Sequence, residues 1–458
     1  MVGPRLGLER RFSVGGIRCL LEVAWDLKNE KHVSSRSGES NQERDGAEAK
    51  EDFASRGGAL SALAHRNYRI FFGAQILSLP GTWLQLVAEG WLVYQLTGSA
   101  LALGVIRFLH TIPVTLLSVF AGGLADRYDK RRLLIVTQSI AMLMAFALFV
   151  LVLSGRATVW QVGVLALILG VVNAFDIPTR QSFIIELVGK KDLMNAIALN
   201  SSVFNAARIV GPAIAGVVIS TVGVAYCFLF NALSFLFVIV GYCCLRLKPV
   251  VKSESADASS VGIRSALRLV WASPVLRALL GMSALNSVFG MSYTTLMPIF
   301  AEDIWHVGPR GLGALLSANG VGALLGSVTL AFFSHGERRD RLVKLGASGF
   351  AASMIAFSFC PNVYVAMGVL LISGWFMVSF YATTNTLVQG EVEDHLRGRV
   401  MGLYTLSFIG LIPMGAFLAG WVAVLMGAPM TVLLGALICL VGSGFLWRAP
   451  LVQDSGMS

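Results

Sequence analysis

Residues 122–132 read GGLADRYDKRR and lie between two apolar runs of the chain. Four bases and two acids stand together in this stretch, whereas the runs on either side consist mainly of aliphatic residues. Each run reaches the length of about 20 residues that a helix needs to cross the hydrocarbon core of a bilayer. The stretch therefore predicts a loop at a membrane surface that joins two crossing helices.

The rest of the chain repeats this alternation of apolar runs and polar loops. Of its 458 residues, 55% are hydrophobic and 14% are charged, and the mean hydropathy is +0.72. A soluble domain carries about 25% charged residues, so the composition predicts an all-α membrane protein. Twelve predicted crossing helices, called spans 1 to 12 in chain order, cover residues 70–96, 101–124, 133–154, 157–177, 195–219, 224–245, 278–301, 311–335, 343–360, 363–388, 399–425 and 428–447.

Basic residues are distributed unevenly over the loops. The loops after spans 2, 4, 6, 8 and 10 contain nineteen Lys and Arg residues, and the remaining loops contain two, Arg156 and Arg310. The positive-inside rule places the basic loops in the cytoplasm. An even number of spans then leaves both termini cytoplasmic, and the net charge of +10 indicates topology rather than a nucleic-acid partner.

The spans divide into two groups of six that repeat each other. The basic stretch after span 2 has a counterpart in GERRDR (336–341) after span 8, and ELVGKKDLMNA (186–196) after span 4 has one in GEVEDHLRGRV (390–400) after span 10. Two parallel six-helix bundles with a site between them are typical of transporters. The expected domains are a disordered cytoplasmic extension (1–66), a first bundle (67–246), a cytoplasmic linker that is an interfacial helix or a plain loop (247–276), a second bundle (277–448) and a cytoplasmic tail (449–458).

Polar side chains inside the spans are the candidates for a substrate cavity or a proton path. Such groups are costly in a bilayer and usually face a cavity or a partner. Many recur every three or four residues, which places them on one helix face, although contacts between helices produce the same stripes. The candidates are Gln85, Glu89, Arg107, His110, Asn173, Asp176, Asn205, Asn286, Tyr293, Asn319, Asn385 and Gln389.

The sequence predicts more specific roles for three of these residues, Glu89, His110 and Asp176. Glu89 is the leading proton-carrier candidate, because burial moves the titration of a carboxyl group towards neutral pH, but a static pair with Arg107 fits equally well. His110 titrates near neutral pH in ordinary surroundings. Asp176 is expected to pair with Arg180 or with a loop cation.

Residues 207–216 read ARIVGPAIAG and combine the one formal charge of span 5 with a helix breaker. At 1.5 Å per residue, Arg208 lies roughly 15–20 Å from the inner surface, near the middle of the bilayer. Its role is either contact with the substrate or an ion pair with Glu89. Because the cavity stripes of the second bundle contain no formal charge, a neutral or weakly charged substrate is expected.

The stretch GGLADRYDKRR resembles the signature loop between helices 2 and 3 of the major facilitator superfamily. The matching residues are Gly122, Asp126, Arg127, Lys130 and Arg131. Asp129 replaces the usual second glycine. The resemblance implies a cytoplasmic gate loop that latches the outward-facing state, with Asp126 at a helix N-terminus and the bases paired with acids across the seam between the two bundles.

Span 5 resembles the signature of the superfamily's antiporters in Gly211, Pro212 and Gly216, beside Arg208. Alanines stand where two further glycines are usual. A wider resemblance over 60–448, in stretches such as DIPTRQSFI and NTLVQGEVEDHLRGRVMGLYTLS, is to the bacterial efflux branch that includes the enterobactin exporter and macrolide efflux pumps. Span 4 lacks the mid-helix arginine that many proton-coupled drug antiporters use, since Arg180 lies at its cytoplasmic edge.

These features predict a secondary active exporter in the bacterial inner membrane. It would move an amphipathic organic molecule, such as a drug, siderophore or metabolite, by alternating access and proton antiport. The expected partners are the small-molecule substrate, protons and the lipid bilayer, for a monomer with no cofactor and no metal. An importer on the same fold is the first alternative, and a membrane sensor or enzyme without transport is the second. The sequence shows neither a phosphate-binding loop nor a catalytic constellation.

Overall fold

The computed structural model describes residues 60–125, 128–246, 263–333 and 338–449, and the regular elements in these ranges are all helical. Ten of the described helices are long and apolar enough to cross a membrane. Twelve spans are present, because one of the ten, Val159–Thr221, contains two crossings and the more polar Arg338–Ser358 occupies the ninth position. The predicted extension up to residue 59, the linker segment 247–262 and the tail from 450 lie outside the described residues.

The first bundle follows the predicted spans closely. Spans 1, 2, 3 and 6 are the helices Arg66–Thr97, Ala100–Ala125, Lys130–Leu153 and Val224–Cys243. Spans 4 and 5 lie in one helical stretch, Val159–Thr221, which is broken at Gly189. Gly189 has φ 72° and ψ 177°, a conformation that residues with a side chain rarely adopt. The break turns the chain back between the two spans.

The second bundle contains helices interrupted by π-helical turns. Span 7 consists of Pro274–Leu285, the π turn Asn286–Gly290, Tyr293–Ile299 and the π turn Phe300–Ile304. Span 11 consists of Asp394–Thr405, the π turn Leu406–Gly410 and Ile412–Met426. Spans 8, 9, 10 and 12 are Gly308–Phe333, Arg338–Ser358, Val363–Glu391 and Ala428–Arg448. Within the predicted linker, Ile263–Ala272 form a helix.

Two of the π turns contact each other, and one also contacts the first bundle. The Ser287 hydroxyl donates to the carbonyl of Phe408 at 2.8 Å, which joins the π turns of spans 7 and 11. The Thr115 hydroxyl of span 2 donates to the carbonyl of Gly410 at 3.2 Å. A π turn disturbs the regular hydrogen-bond ladder of a helix, and here side chains satisfy the affected carbonyls.

Glycines bring the two bundles together near one end of the spans. We call the side of the basic loops the basic-loop face and the other side the opposite face. A Cβ atom on Gly104 of span 2 would lie 2.6 Å from the carbonyl oxygen of Ala416 of span 11, and one on Gly216 of span 5 would lie 2.7 Å from that of Pro309. Small residues permit such close approach of helix backbones. Both contacts lie towards the opposite face.

Hydrogen bonds reinforce the contact at the opposite face. The Tyr94 hydroxyl at the end of span 1 donates to the Asp303 carboxylate at the end of span 7. The Arg310 guanidinium of span 8 donates to the Ser220 hydroxyl of span 5 at 2.7 Å. The bundles are therefore bonded to each other at this face, once between spans 1 and 7 and once between spans 5 and 8.

Residues 60–66, which the sequence assigned to a disordered extension, are ordered and packed against the first bundle. A short 3₁₀ helix, Ser61–Ala64, precedes span 1. The Ala62 amide donates to the Asn195 side chain at 3.1 Å, and His65 lies 2.8 Å from the Asp192 carboxylate. The expectation failed here because these bonds are made to the helix that follows the Gly189 break, which is distant in sequence.

Candidate functional site

Arg208 links the two bundles near the middle of the spans. Its Nη2 atom donates to Oδ1 of Asn319 in span 8 at 2.8 Å and lies 4.0 Å from the Met377 sulfur in span 10. Tyr293 of span 7 is close enough to interact electrostatically with the guanidinium. Of the two predicted roles, the ion pair with Glu89 is absent, because Arg208 instead hydrogen-bonds to span 8 and contacts span 10 of the second bundle.

Glu89 belongs to a separate cluster inside the first bundle. One carboxylate oxygen lies 3.4 Å from Nδ1 of His110, and the residue is only 4% exposed. The other oxygen has no hydrogen-bond partner among the described residues. Arg107, one turn before His110, is close enough for electrostatic attraction to the carboxylate. The cluster contains two groups that can pass a proton between them, Glu89 and His110. It also contains Arg107, a cation that remains charged.

Span 1 carries a polar stripe of Gln75, Ser78, Thr82, Gln85 and Glu89, and two of these residues pack against span 6. Gln85 accepts a hydrogen bond of 2.6 Å from Asn231, and Ser78 lies 3.5 Å from the Ser234 hydroxyl. All four side chains are buried. The prediction that Gln85 lines a cavity is therefore wrong, since the stripe joins two helices. Sequence analysis missed Asn231, whose only signal is an amide in the middle of an apolar span.

Asp176 also lies in a packed network rather than in a cavity, contrary to its place among the cavity candidates. It accepts hydrogen bonds from Thr137 at 2.9 Å and from Gln138 at 2.8 Å, both in span 3. It pairs with Arg180 one turn later at 3.4 Å, as expected. Arg180 in turn lies 3.4 Å from the Gln75 side chain of span 1. This network ties spans 1, 3 and 4 together near the basic-loop face.

The remaining candidates of the second bundle are placed differently from one another. Asn286 is 1% exposed, and neither polar atom of its amide has a partner among the described residues. Tyr293 is buried against the rings of Phe350 and Phe357. Gln389 donates to Asn385 at 2.6 Å within span 10. Only Tyr293 in this group approaches Arg208.

Polar side chains continue from the Arg208 level towards the basic-loop face. In span 5, Asn205 is half-buried and donates to the Ser201 carbonyl at 2.9 Å, and Ser201 itself is exposed. In span 10, Gln389 is exposed. In span 4, Asn173 is half-buried. Exposed polar groups along membrane spans usually face a water-filled cavity.

The glycines of the span 5 signature face two different neighbours. A Cβ atom on Gly211 would lie 2.9 Å from the Pro80 carbonyl of span 1, and one on Gly216 would contact span 8. The Pro212 carbonyl in turn lies against Gly313 of span 8. The signature thus fixes span 5 between its own bundle and the other one, and it holds Arg208 at the seam.

The gate loop is only partly described. Asp126 and Arg127 lie outside the described residues, as does the side-chain environment of Gly122. Lys130 pairs with Glu186 of span 4 at 2.7 Å, and Arg131 donates to the Cys243 carbonyl of span 6 at 2.7 Å. These two bases bond within the first bundle, which corrects the expectation that they pair across the seam. Asp129 accepts from the Arg132 amide at 2.8 Å and caps span 3.

Comparison with protein-family models gives a match over residues 57–455 to a family described as transmembrane secretion effector. The match includes both bundles. The chain belongs to this family of the major facilitator superfamily. The transmembrane secretion effector fold thus accounts for the twelve helices in two bundles, and the protein is a multi-pass membrane transporter.

Relatives of this chain are transport proteins of bacteria. It is 27% identical to the staphyloferrin A transporter of Staphylococcus aureus, over 76% of this chain and 88% of the relative. It is 29% identical to the multidrug efflux pump Tap of Mycolicibacterium fortuitum, over 76% and 87%. It is 24% identical to the enterobactin exporter EntS of Salmonella typhi, over 87% and 98%.

Solved structures share the fold of this chain. The nucleoside transporter NupG superposes with a TM-score of 0.69 at 12% identity, covering 84% of this chain and 98% of its own. A bacterial homologue of the iron transporter ferroportin, in an inward-facing state, superposes with a TM-score of 0.65 at 16% identity, over 84% and 98%. At these identities the likeness shows the architecture alone.

Proposed function

We propose that the protein is a secondary active exporter that moves an amphipathic organic molecule out of the cytoplasm by alternating access. The observation that supports this most directly is the Arg208–Asn319 bridge. It places polar groups of both bundles in contact at mid-span, between a bonded opposite face and exposed polar side chains towards the basic-loop face. A site at the interface of two repeats can be exposed alternately to either side.

The distribution of basic loops supports the proposed direction of transport. The positive-inside rule assigns the basic-loop face and both termini to the cytoplasm of a bacterial inner membrane. The conformation described here would then load from the cytoplasm. The relatives named as an exporter and as an efflux pump support the same direction.

We assign the proton path to the cluster of Glu89, His110 and Arg107. Glu89 has a free carboxylate oxygen and a histidine neighbour at 3.4 Å, so a proton can reside on either residue. The attraction of Arg107 for the carboxylate changes with that protonation. Such a change is the kind of local electrostatic event that biases a two-state element.

The remaining assignments extend the same proposal. Gly122, Asp126, Arg127, Lys130 and Arg131 form the cytoplasmic gate loop. The chain is organised as the cytoplasmic extension 1–66, whose residues 60–66 pack on the first bundle, the bundles 67–246 and 277–448, the linker 247–276 and the tail 449–458. The transporter acts as a monomer in the lipid bilayer.

Everted and right-side-out membrane vesicles that contain the protein test the direction and the coupling. The assay follows uptake of enterobactin and of the dye ethidium, one siderophore and one drug-like compound. Uptake into everted vesicles that stops when an ionophore collapses the proton gradient is the expected result. Uptake confined to right-side-out vesicles would establish the importer instead. Uptake that is insensitive to the ionophore would remove the proton coupling and keep the direction.

A further inference from the structure

Arg208 is held entirely by neutral groups. Its neighbours are the amide oxygen of Asn319 at 2.8 Å, the sulfur of Met377 at 4.0 Å and the phenol of Tyr293. In the part of the chain that the structure describes, no acidic side chain forms an ion pair with this guanidinium. Among the described residues, nothing therefore neutralises its positive charge at mid-span.

The charges deep inside the first bundle, unlike Arg208, have partners of opposite sign. Glu89 attracts Arg107 and lies beside His110, and Asp176 pairs with Arg180. This balance within the first bundle leaves no acid to spare for Arg208. The unbalanced cation is the one at the seam between the bundles, where a transported molecule would pass.

An arginine at such a position favours a particular kind of partner. Arginine does not lose its proton in proteins, so its charge cannot be relieved by deprotonation. A charge withdrawn from water without a counter-charge costs several kcal/mol. The hydrogen bond to Asn319 uses only part of the five-donor fork of the guanidinium. The planar fork matches a carboxylate with two parallel hydrogen bonds.

We propose that Arg208 binds an anionic group of the transported molecule, a carboxylate or an acid of similar geometry. The substrate class is therefore an amphipathic organic acid rather than the neutral molecule that the sequence indicated. Asn319 accepts a hydrogen bond from the guanidinium when the site is empty, and the anion replaces Asn319 as the acceptor when it binds. This inference rests on the proposed function, since it takes the seam to be the path of a substrate.

Thermal unfolding of the purified protein in detergent tests the proposal with a matched pair of probes. The probes are 2-naphthoate and 2-naphthamide, which share the ring system and differ in the negative charge. A ligand raises Tm according to its affinity for the native state. We expect wild type to bind the carboxylate roughly 10–100-fold more tightly than the amide, because the anion gains charged hydrogen bonds.

Three variants and a control assign any such preference to Arg208. Arg208→Gln should bind both probes equally, and Arg208→Lys should keep part of the preference. Asn319→Asp places a carboxylate beside the guanidinium, so it should raise Tm without a probe and lose the preference as well. Arg156→Gln removes an exposed loop arginine on the opposite face and should behave like wild type.

Two results would overturn the inference. One is an equal response of wild type to both probes, including no response to either. The other is an undiminished carboxylate preference in Arg208→Gln. Binding in detergent has no direction and no gradient. A preference for the anion would therefore stand even if the vesicle assay showed import, and a failed preference would leave proton-driven export intact.

Discussion

Glu89 and Arg208 are both charged residues deep in their spans, yet their surroundings differ. Glu89 has its attracting cation and its histidine inside one bundle, whereas Arg208 reaches across to the other bundle. The first arrangement suits a proton that is exchanged within a fixed cluster. The second suits a ligand that enters between the bundles.

Replacement of Glu89 by glutamine should separate proton coupling from substrate binding. The amide keeps the size of the side chain and removes its titration. In everted vesicles, we expect Glu89→Gln to lose gradient-driven accumulation at least tenfold, because a coupling step that is worth 1.4 kcal/mol or more disappears. Binding of the naphthoate probe should remain. Retention of wild-type accumulation would exclude Glu89 as the carrier.

Asp192 lies just after the Gly189 break, before the predicted start of span 5, and predicts a pH dependence outside the membrane-crossing segments. Hydrogen bonds from His65 and Ser61 lower the pKa of the Asp192 carboxyl below its ordinary value of 3.8. A lowered pKa means that the contact stabilises the protein above pH 3.8 and is lost as the pH falls through the native pKa. Asp192→Asn should therefore lower Tm at pH 7 and show a smaller drop in Tm below pH 4 than wild type does.

His65→Gln provides the matching control for this contact. If His65 and Asp192 act as a pair, the double variant should lose no more Tm than the more affected single variant. Fully additive losses at pH 7 would show that the contact does not couple the two residues.

At the scale of elements, the contacts between helices explain which sequence patterns correctly predicted packing. The Gly-Pro step of span 5 correctly indicated close packing, and Gly211 and Gly216 lie against two different spans. The stripe of span 1 was ambiguous, because the same three-and-four spacing serves a cavity wall or a contact with a neighbouring helix. Its partner Asn231 sits alone in an apolar span. A periodic pattern reveals which face of a helix is polar, but the fold decides what that face meets.

Gly104→Ala should show the cost of separating spans 2 and 11. The added methyl group would lie 2.6 Å from the Ala416 carbonyl, a backbone atom that cannot swing aside. We expect a loss of stability of about 1–3 kcal/mol, as for other overpacked sites, measured by thermal or denaturant unfolding. Gly73→Ala is the control, because a Cβ atom there meets nothing within 4 Å and alanine favours a helix by about 0.5–1 kcal/mol. Equal changes in stability in the two variants would show that the contact between spans 2 and 11 accommodates the added methyl group.

The whole molecule is joined at its opposite face by bonds that alternating access must break. The twelve spans and their two bundles could be predicted from hydropathy and loop charge, since both act locally along the chain. The bonds between the bundles, such as Tyr94 to Asp303, could not, because they join residues about 200 positions apart. The position of the break at Gly189 could not be predicted either, because a single glycine in a polar segment is compatible with many backbone conformations.

Tyr94→Phe should shift the balance between the two access states. The variant removes the hydroxyl that donates to Asp303 and leaves the ring in place. Loss of about 1–2 kcal/mol should raise the population open at the opposite face roughly 5–30-fold. Electron spin–spin distances between labels at Arg156→Cys and Tyr364→Cys, in a background free of other cysteines, would report this opening.

Tyr226→Phe is the matched control for that measurement. Tyr226 packs against Phe149 within the first bundle, so its hydroxyl lies on no path between the bundles. An equal shift in both tyrosine variants would indicate general loosening rather than release of the Tyr94–Asp303 bond.

The π turn Asn286–Gly290 has a consequence for the lengths of chain that this fold accepts. A π turn contains one residue more than the α-helical turn it replaces, in the manner of an insertion retained within a helix. Deletion of one residue from the turn would restore a regular helix and rotate everything after it by about 100°. Tyr293 would then leave its packing against Phe350 and Phe357. The number of residues in span 7, and not only their identity, determines which neighbours its later side chains meet.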